Sequence, residues 1–305
     1  MEENFLTEIF KSGFVTIAGR PNVGKSTLMN RFLGEKVSIV SNKPQTTRNN
    51  LQTVLTEKNY QIVFIDTPGI HRPRHRLGEY MVKAAQNTFN DADIILFMIT
   101  PSKEINAADS KIIEHFRDEN ASVILAINKV DEYTKEELAK TIDIYKSLYD
   151  FKEIVPISAL KGINTDTLLK ILVENLPEGP KYFPDDVLTN QNKRFLVSEI
   201  IREKALQFLR EEVPHGIAVE VEHMKREEKK NLIDISAVIY CEKESHKSII
   251  IGKDGRMLKN IGIKARADIE KILDSKVYLN LWVKVNKDWR DDPSSLKRLG
   301  YSLKA

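Results

Sequence analysis

A chain of 305 residues is long enough for about two domains, each burying its own core. The longest strongly apolar run, Ile94 to Ile99, is far too short to span a membrane, and the single cysteine, Cys241, excludes an internal disulfide. The net charge of +3 is unevenly spread: residues 1–180 carry 22 basic against 24 acidic side chains, residues 181–305 carry 25 against 20, and the basic second half hints at a polyanionic partner.

The N-terminus, Met1-Glu2-Glu3-Asn4, lacks the basic and apolar regions of a signal peptide, so a cytoplasmic location is the default expectation. The first predicted strand, 14–18, runs into Gly19-Arg20-Pro21-Asn22-Val23-Gly24-Lys25-Ser26, with Thr27 next in a helix predicted over 25–33. This stretch fits G-x-x-x-x-G-K-[ST], a loop that cradles phosphates. Its glycines let the backbone turn tightly, so that several N–H groups point into one hollow at a helix N-terminus. Lys25 then reaches the β/γ-phosphates and the Ser26 hydroxyl ligates Mg2+. A glycine-rich strand-helix turn with a surface lysine is the bland alternative.

Residues 50–56 alternate in polarity and read as an antiparallel edge strand; 61–65, 94–100, 122–127 and 154–157 read as buried strands. Helices are predicted over 79–90, 107–119, 134–149 and 164–175, and loops over 34–48 and 70–78. That order gives an α/β domain, a doubly wound and mainly parallel sheet. The strand over 61–65 ends at Asp66-Thr67-Pro68-Gly69, placing a carboxylate to hold Mg2+, through water, and the Gly69 N–H to meet a γ-phosphate. The strand over 122–127 ends at Asn128-Lys129-Val130-Asp131. Asp131 can accept from guanine N1–H and the exocyclic amine, Asn128 can brace the base and the phosphate loop, and the Lys129 stem can cover the base. Ser158-Ala159-Leu160 ends the last strand, with the Ala159 N–H aimed at guanine O6.

In this order, each at a strand end, these motifs resemble the translation-factor-like GTPases over residues 14–175. The resemblance implies that Thr47, in Gln45-Thr46-Thr47-Arg48, is the switch threonine that closes on Mg2+ and γ-phosphate; the residues themselves do not choose it over Thr46. Many regulatory GTPases carry a glutamine after Asp-x-x-Gly to orient the attacking water. Here that position is Ile70, which implies slow intrinsic hydrolysis. Asn22 together with Ile70 looks like a subgroup in which some members ligate K+ through this asparagine, a charge that takes the place of an arginine finger. A turn-tolerant loop residue is the other reading of Asn22. Arg72, Arg74 and Arg76, with His71 and His75, read as a solvated basic loop rather than a finger in cis, and the histidines lack the companions of a metal site.

Leu176-Pro177-Glu178-Gly179-Pro180, followed by Pro184, breaks the pattern and sets the expected division: a GTPase domain over 1–178, a linker over 179–189 and a second domain over 190–305. After the linker the reading is helix 191–211, strands 217–224 and 231–241, helix 244–251, a glycine turn, helix 256–273, strand 277–286 and a helical tail. Ile251-Gly252-Lys253-Asp254-Gly255-Arg256 contains G-x-x-G, with Lys259, Lys264 and Arg266 following. Glycine backbone admits a sugar-phosphate closely, the basic residues attract it, and apolar residues such as Ile250 and Ile261 would line a groove for bases. This is the chemistry of a type II KH module, which clamps about four nucleotides; a plain helix-helix turn is the alternative. Trp282 and Trp289 read as core or tail packing before base stacking.

A single GTPase domain followed by one KH domain is similar to a family of bacterial ribosome-assembly GTPases. The resemblance covers nearly the whole chain. It implies hydrolysis of GTP to GDP and phosphate with Mg2+ (K+ a second candidate cation), and binding to 16S ribosomal RNA near its 3′ end during 30S subunit assembly. It also implies a monomer that is cytoplasmic, with a peripheral fraction at the inner membrane. A nucleotide-gated RNA-binding chaperone is the rival reading, and Asn128-Lys129-Val130-Asp131 opposes a third, an ATP-dependent small-molecule kinase.

Overall fold

The computed structural model describes residues 9–41, 43, 46–70, 73, 75–116, 121–227 and 231–301; Met1 to Asn4, Gln45, His71, Arg72 and Arg74 lie outside them. The chain folds as two units. The first comprises the described residues of Met1–Ser38, Asn49–His71 and Met81–Asn190, and the second those of Ile39–Arg48, Arg72–Tyr80 and Gln191–Ala305.

In the first unit β1 (Lys11–Gly19), β2 (Leu51–Thr56), β3 (Tyr60–Asp66), β4 (Ile94–Ile99), β5 (Ser122–Ile127) and β6 (Glu153–Pro156) form one sheet in the order β2-β3-β1-β4-β5-β6. All neighbours are parallel except β2 against β3, in keeping with the alternating sequence of β2. Strand β4 is an unbroken run of apolar residues because every one of its side chains is buried. The helices are α1 (Lys25–Leu33), α3 (Ala107–Phe116), α4 (Lys135–Lys146), α5 (Thr165–Asn175) and, from Met81 on, α2 (Arg76–Gln86), whose first residues belong to the second unit. A capping box between Thr134 and Glu137 starts α4. Helix α2 starts three residues earlier than the periodicity predicts, because the Arg76 N–H donates to Asp291 Oδ1 at 3.0 Å. Residues 177–189 run along the first unit: Ser12 N donates to the Pro177 carbonyl, Tyr182 N and Phe183 N donate to Gln61 Oε1, and Val54 N donates to the Leu188 carbonyl.

The second unit pairs β7 (Ala218–Glu227) antiparallel and β9 (Lys276–Val285) parallel to a central β8 (Leu232–Cys241). Helices α6 (Lys193–Phe208), α7 (Glu244–Ile251) and α8 (Arg256–Leu273) share its core, and α9 (Pro293–Arg298) follows β9. In α8 the residues at four-residue spacing, Ile261, Ala265 and Ile269, are fully buried in the core that also holds Ile235 and Ile239. Cys241 is a core residue, and burial pushes its thiol up to about 11.

The described residues of Ile39–Arg48 are bound into this unit by charged side chains. Arg48 is 1 % exposed; its guanidinium donates to the Ile217 carbonyl at 2.7 Å and the His215 carbonyl at 3.2 Å. Its carbon lies 5.5 Å from the Trp289 ring centre and 6.0 Å from that of Tyr301. Trp289 is fixed in turn by donating to the Gly216 carbonyl at 2.9 Å. On α6, Arg202 donates to the Thr46 carbonyl and Glu203 Oε1 accepts from Val40 N at 3.0 Å. Replacing Arg48 by Ala strips two buried carbonyls of their donor and empties the aromatic slot, so urea unfolding should show a loss of roughly 2–4 kcal/mol. Arg48→Lys should recover little of it, since an ammonium cannot span both carbonyls as a planar fork.

Candidate functional site

The phosphate loop follows β1 at the point where strand order reverses, which is where an open α/β sheet opens a crevice for ligands. Lys25 is buried and donates to the Gly19 carbonyl at 3.0 Å and the Arg20 carbonyl at 3.1 Å. Burial brings its pKa down to about 8, against an opposing pull from Asp66. The Ser26 hydroxyl donates to Asp66 Oδ2 at 2.7 Å, and Asp66 is fully buried at the end of β3. A buried carboxylate beside a hydroxyl is a hard oxygen donor set, which fits Mg2+. Arg20 is anchored through Nε to both oxygens of Asp109, at 2.9 and 3.0 Å, and Tyr145 donates to the same carboxylate at 2.7 Å. Burial pushes the Asp109 carboxyl upward against the pull of these partners. Asn22 is exposed in left-handed backbone, φ 64°, a conformation asparagine tolerates.

Asn128 joins the loops. Its Nδ2 donates to the Val23 carbonyl at 2.7 Å, and its Oδ1 accepts from Ala159 N at 2.8 Å. Gly24, at φ 103°, is needed there: a Cβ would lie 2.2 Å from Asn128 Nδ2. The Ala159 N–H, expected to face guanine O6, is therefore engaged by Asn128, and a guanine oxygen arriving there must share or displace that bond. Asp131 is exposed, and a hydrogen bond from Ser158 holds its carboxyl below the usual range. Lys129 is left-handed, φ 69°, between Asn128 and the short turn carrying Asp131. Arg31 of α1 donates to the Ala159 carbonyl at 2.7 Å and the Leu160 carbonyl at 2.8 Å, while the Leu160 side chain stays exposed. No local pattern in the sequence singles out Arg31, Asp109 or Tyr145.

Thr67 donates to the Ile17 carbonyl at 2.8 Å, beside the buried Pro68. Gly69 packs on the phosphate loop, and a Cβ there would meet Pro21 N at 2.6 Å. Ile70 packs into the core with Phe89 and Phe97. Thr47 belongs to the second unit, between Thr46 and the caged Arg48, whereas Ser26 and Asp66 belong to the first. His75 pairs with Asp291 at 3.1 Å, so it faces a carboxylate. Among the described residues there is no cluster of His, Cys, Asp and Glu suited to a metal ion.

In the second unit Gly252, Asp254 and Gly255 all have positive φ, which folds Ile251 to Arg256 into a tight turn between α7 and α8. Arg256 is exposed at its end. Beside it lies a groove of about 350 Å³ lined by Leu258, Lys259, Ile263, Arg266, Leu279 and Leu281. The expected lining by Ile250 and Ile261 is corrected: both are fully buried in the core, and the groove takes the neighbouring face of α8 and strand β9. Lys264 is exposed but does not line the groove. The two tryptophans separate, Trp289 at 0 % exposure and Trp282 at 62 %.

Residues 14–129 match the 50S ribosome-binding GTPase family and residues 212–290 the KH domain family. GTPase Era of Clostridium kluyveri is 58 % identical over 293 residues, 96 % of this chain and 100 % of that protein. GTPase Era of Clostridium botulinum is 56 % identical over 296 residues, 97 % of this chain and 100 % of that protein. A crystal structure of an Aquifex aeolicus Era variant bound to GDP·AlF4− superposes with a TM-score of 0.92 at 44 % identity. One of Era with MgGDPNP and nucleotides 1506–1542 of 16S ribosomal RNA gives 0.93 at 45 %. Each covers 96 % of this chain and 100 % of the matched chain.

The lowered pKa of Lys25 has a signed consequence for ligand binding. A polyphosphate stabilises the ammonium, so nucleotide raises the Lys25 pKa, and binding near pH 8 takes up protons. Affinity then falls as pH rises above about 8. Calorimetric titration with GDP at pH 8, in two buffers of different ionisation enthalpy, should give an uptake of about half a proton. No uptake would mean that Lys25 is already fully charged without ligand.

Proposed function

The chain belongs to the GTPase Era family, and from that premise we propose a GTP-hydrolysing switch that binds 16S ribosomal RNA near its 3′ end and assists 30S subunit assembly. What carries the reading is the presence in one chain of a guanine site braced by Asn128 and a basic groove beside the Gly252–Gly255 turn. Residues 1–178 serve the nucleotide and residues 190–305 the RNA. Lys25 exchanges its two backbone carbonyls for the β/γ-phosphates, and the loop amides between Gly19 and Thr27 hold the rest. Ser26, Thr47 and Asp66 would hold Mg2+, which when bound supplies charge to the transferring phosphoryl oxygens. Asp131 selects guanine and Asn128 holds the base loop to the phosphate loop. The Gly69 N–H meets the γ-phosphate.

Ile70, packed in the core, offers no polar group to orient water, so the chain alone is a slow enzyme. That observation also supports the second reading, a nucleotide-gated RNA chaperone in which hydrolysis is incidental. A protein that acts on the 30S subunit works in the cytoplasm, and that is the location this reading carries. Among the described residues no helix is long and apolar enough to cross a membrane, and inner-membrane association is carried by the family resemblance alone.

Turnover of GTP in K+ and in Na+ buffer, each with and without a short single-stranded 16S RNA, separates the two readings. RNA-stimulated turnover is expected, with a K+ preference if Asn22 ligates the cation; flat turnover in all four conditions favours the chaperone. Asp131→Ala should cost about tenfold or more in preference for GTP over ATP in a competition assay. Lys253→Asp combined with Gly255→Asp should weaken RNA binding by at least about tenfold while basal hydrolysis persists, and RNA binding at full strength would overturn the groove assignment.

A further inference from the structure

Strand β9 lies at the edge of its sheet and shows two unlike faces. Leu279 and Leu281 line the groove beside Lys259 and Arg266. The alternate residues, Lys276, Tyr278, Asn280, Trp282 and Lys284, face away from the core and carry no acid. Tyr278 is 55 % exposed and Trp282 62 %, unusual for rings of that size on one strand. At the far end of this face, by contrast, the Arg298 guanidinium lies 5.0 Å from the Tyr240 ring centre and Lys284 pairs with Glu222 at 2.9 Å. The open part therefore centres on Tyr278 and Trp282. The strands behind contribute both signs there, Lys225 against Asp234 and Glu227. Stacking, not net charge, is what this surface offers.

Resting on the groove assignment above, we infer that the outer face of β9 is a second RNA-binding surface, on which single-stranded RNA leaving the groove stacks bases against Tyr278 and Trp282. Four strand residues set the two rings about 13 Å apart along the strand. That is the reach of roughly two extended nucleotides, and a base has an aromatic face whatever its identity. The same strand lines the groove, so an RNA needs only to cross the β9 edge, with Lys276 placed beside Tyr278 to meet its backbone. A protein patch would use the same rings but would not need continuity with the groove.

The test uses the full chain with two unstructured RNAs, a tetranucleotide that fills the groove and a ten-nucleotide strand that extends past it. Trp282→Ala and Tyr278→Ala should each weaken the longer RNA by about tenfold and leave the tetranucleotide unchanged. Trp282→Phe should keep most of the affinity, because a ring remains. Trp289 is fully buried, so RNA quenching of tryptophan emission reports on Trp282. Quenching is expected with the longer RNA, absent with the tetranucleotide, and lost in Trp282→Phe. Unchanged affinity for the longer RNA in both alanine variants, without quenching, overturns the inference and leaves the face to a protein. If Lys253→Asp with Gly255→Asp binds the tetranucleotide normally, the groove assignment fails instead.

Discussion

Asn128 holds together, with two hydrogen bonds, loops that lie far apart in the chain. Its amide reaches Val23 in the phosphate loop, and its oxygen receives Ala159 N from the loop after β6. The residue is 3 % exposed, so either bond broken leaves a buried polar group unsatisfied, at about 1–3 kcal/mol. Gly24 makes room for the amide and Arg31 secures the other side of the Ala159 loop. The loop from Gly19 to Ser26 and the loop at Ala159 thus stand at a fixed spacing. A rigid spacing of this kind spares a ligand the cost of ordering the loops, while the Asn128–Ala159 bond itself must be shared or displaced by any acceptor that reaches Ala159 N.

Two buried cations illustrate opposite uses of the same chemistry. Lys25 sits on two backbone carbonyls with its pKa brought down to about 8, so roughly 3 kcal/mol of its ordinary preference for charge is missing. Phosphate oxygens can restore that preference, and the ammonium, a compact and mobile donor, can turn to them. Arg48 also sits on two carbonyls, but it is a planar fork between the Trp289 and Tyr301 rings. It stays charged although burial works against it, and it has nowhere nearby to turn. The lysine is built for exchange and the arginine for retention.

The parts of this arrangement that are legible in the sequence are those encoded locally. The phosphate loop, Asp66 to Gly69, and Asn128 to Asp131 announce themselves by residue type and by following apolar strands. The alternation of 50–56 marks β2 as the antiparallel edge. Long-range pairings are not legible. Arg20 and Asp109 are 89 residues apart, and Arg48 and Ile217 are 169 apart. The early start of α2 depends on Asp291, 215 residues away. The groove lining is not legible for a different reason. Apolar residues of α8 occur on two faces, and Ile261 belongs to the stripe with Ala265 and Ile269 that enters the core. Ile263, two residues on, is about 200° round the helix from Ile261 and remains half exposed. Composition could not separate Trp282 from Trp289 either, since only the strand parity of β9 and the acceptor at Gly216 distinguish them.

The position of Thr47 ties it to the retention of Arg48. Its neighbour Thr46 accepts from Arg202 through its carbonyl, and its other neighbour is the caged Arg48, so its backbone is held on both sides by the second unit. Any movement of Thr47 must therefore load those bonds. An arginine locked between two rings and two carbonyls does not slide by small steps; it is either seated or out, because packed interiors have discrete arrangements. Displacing the segment from Thr46 to Arg48 is therefore all-or-none at Arg48, and the stability of the cage sets what it costs.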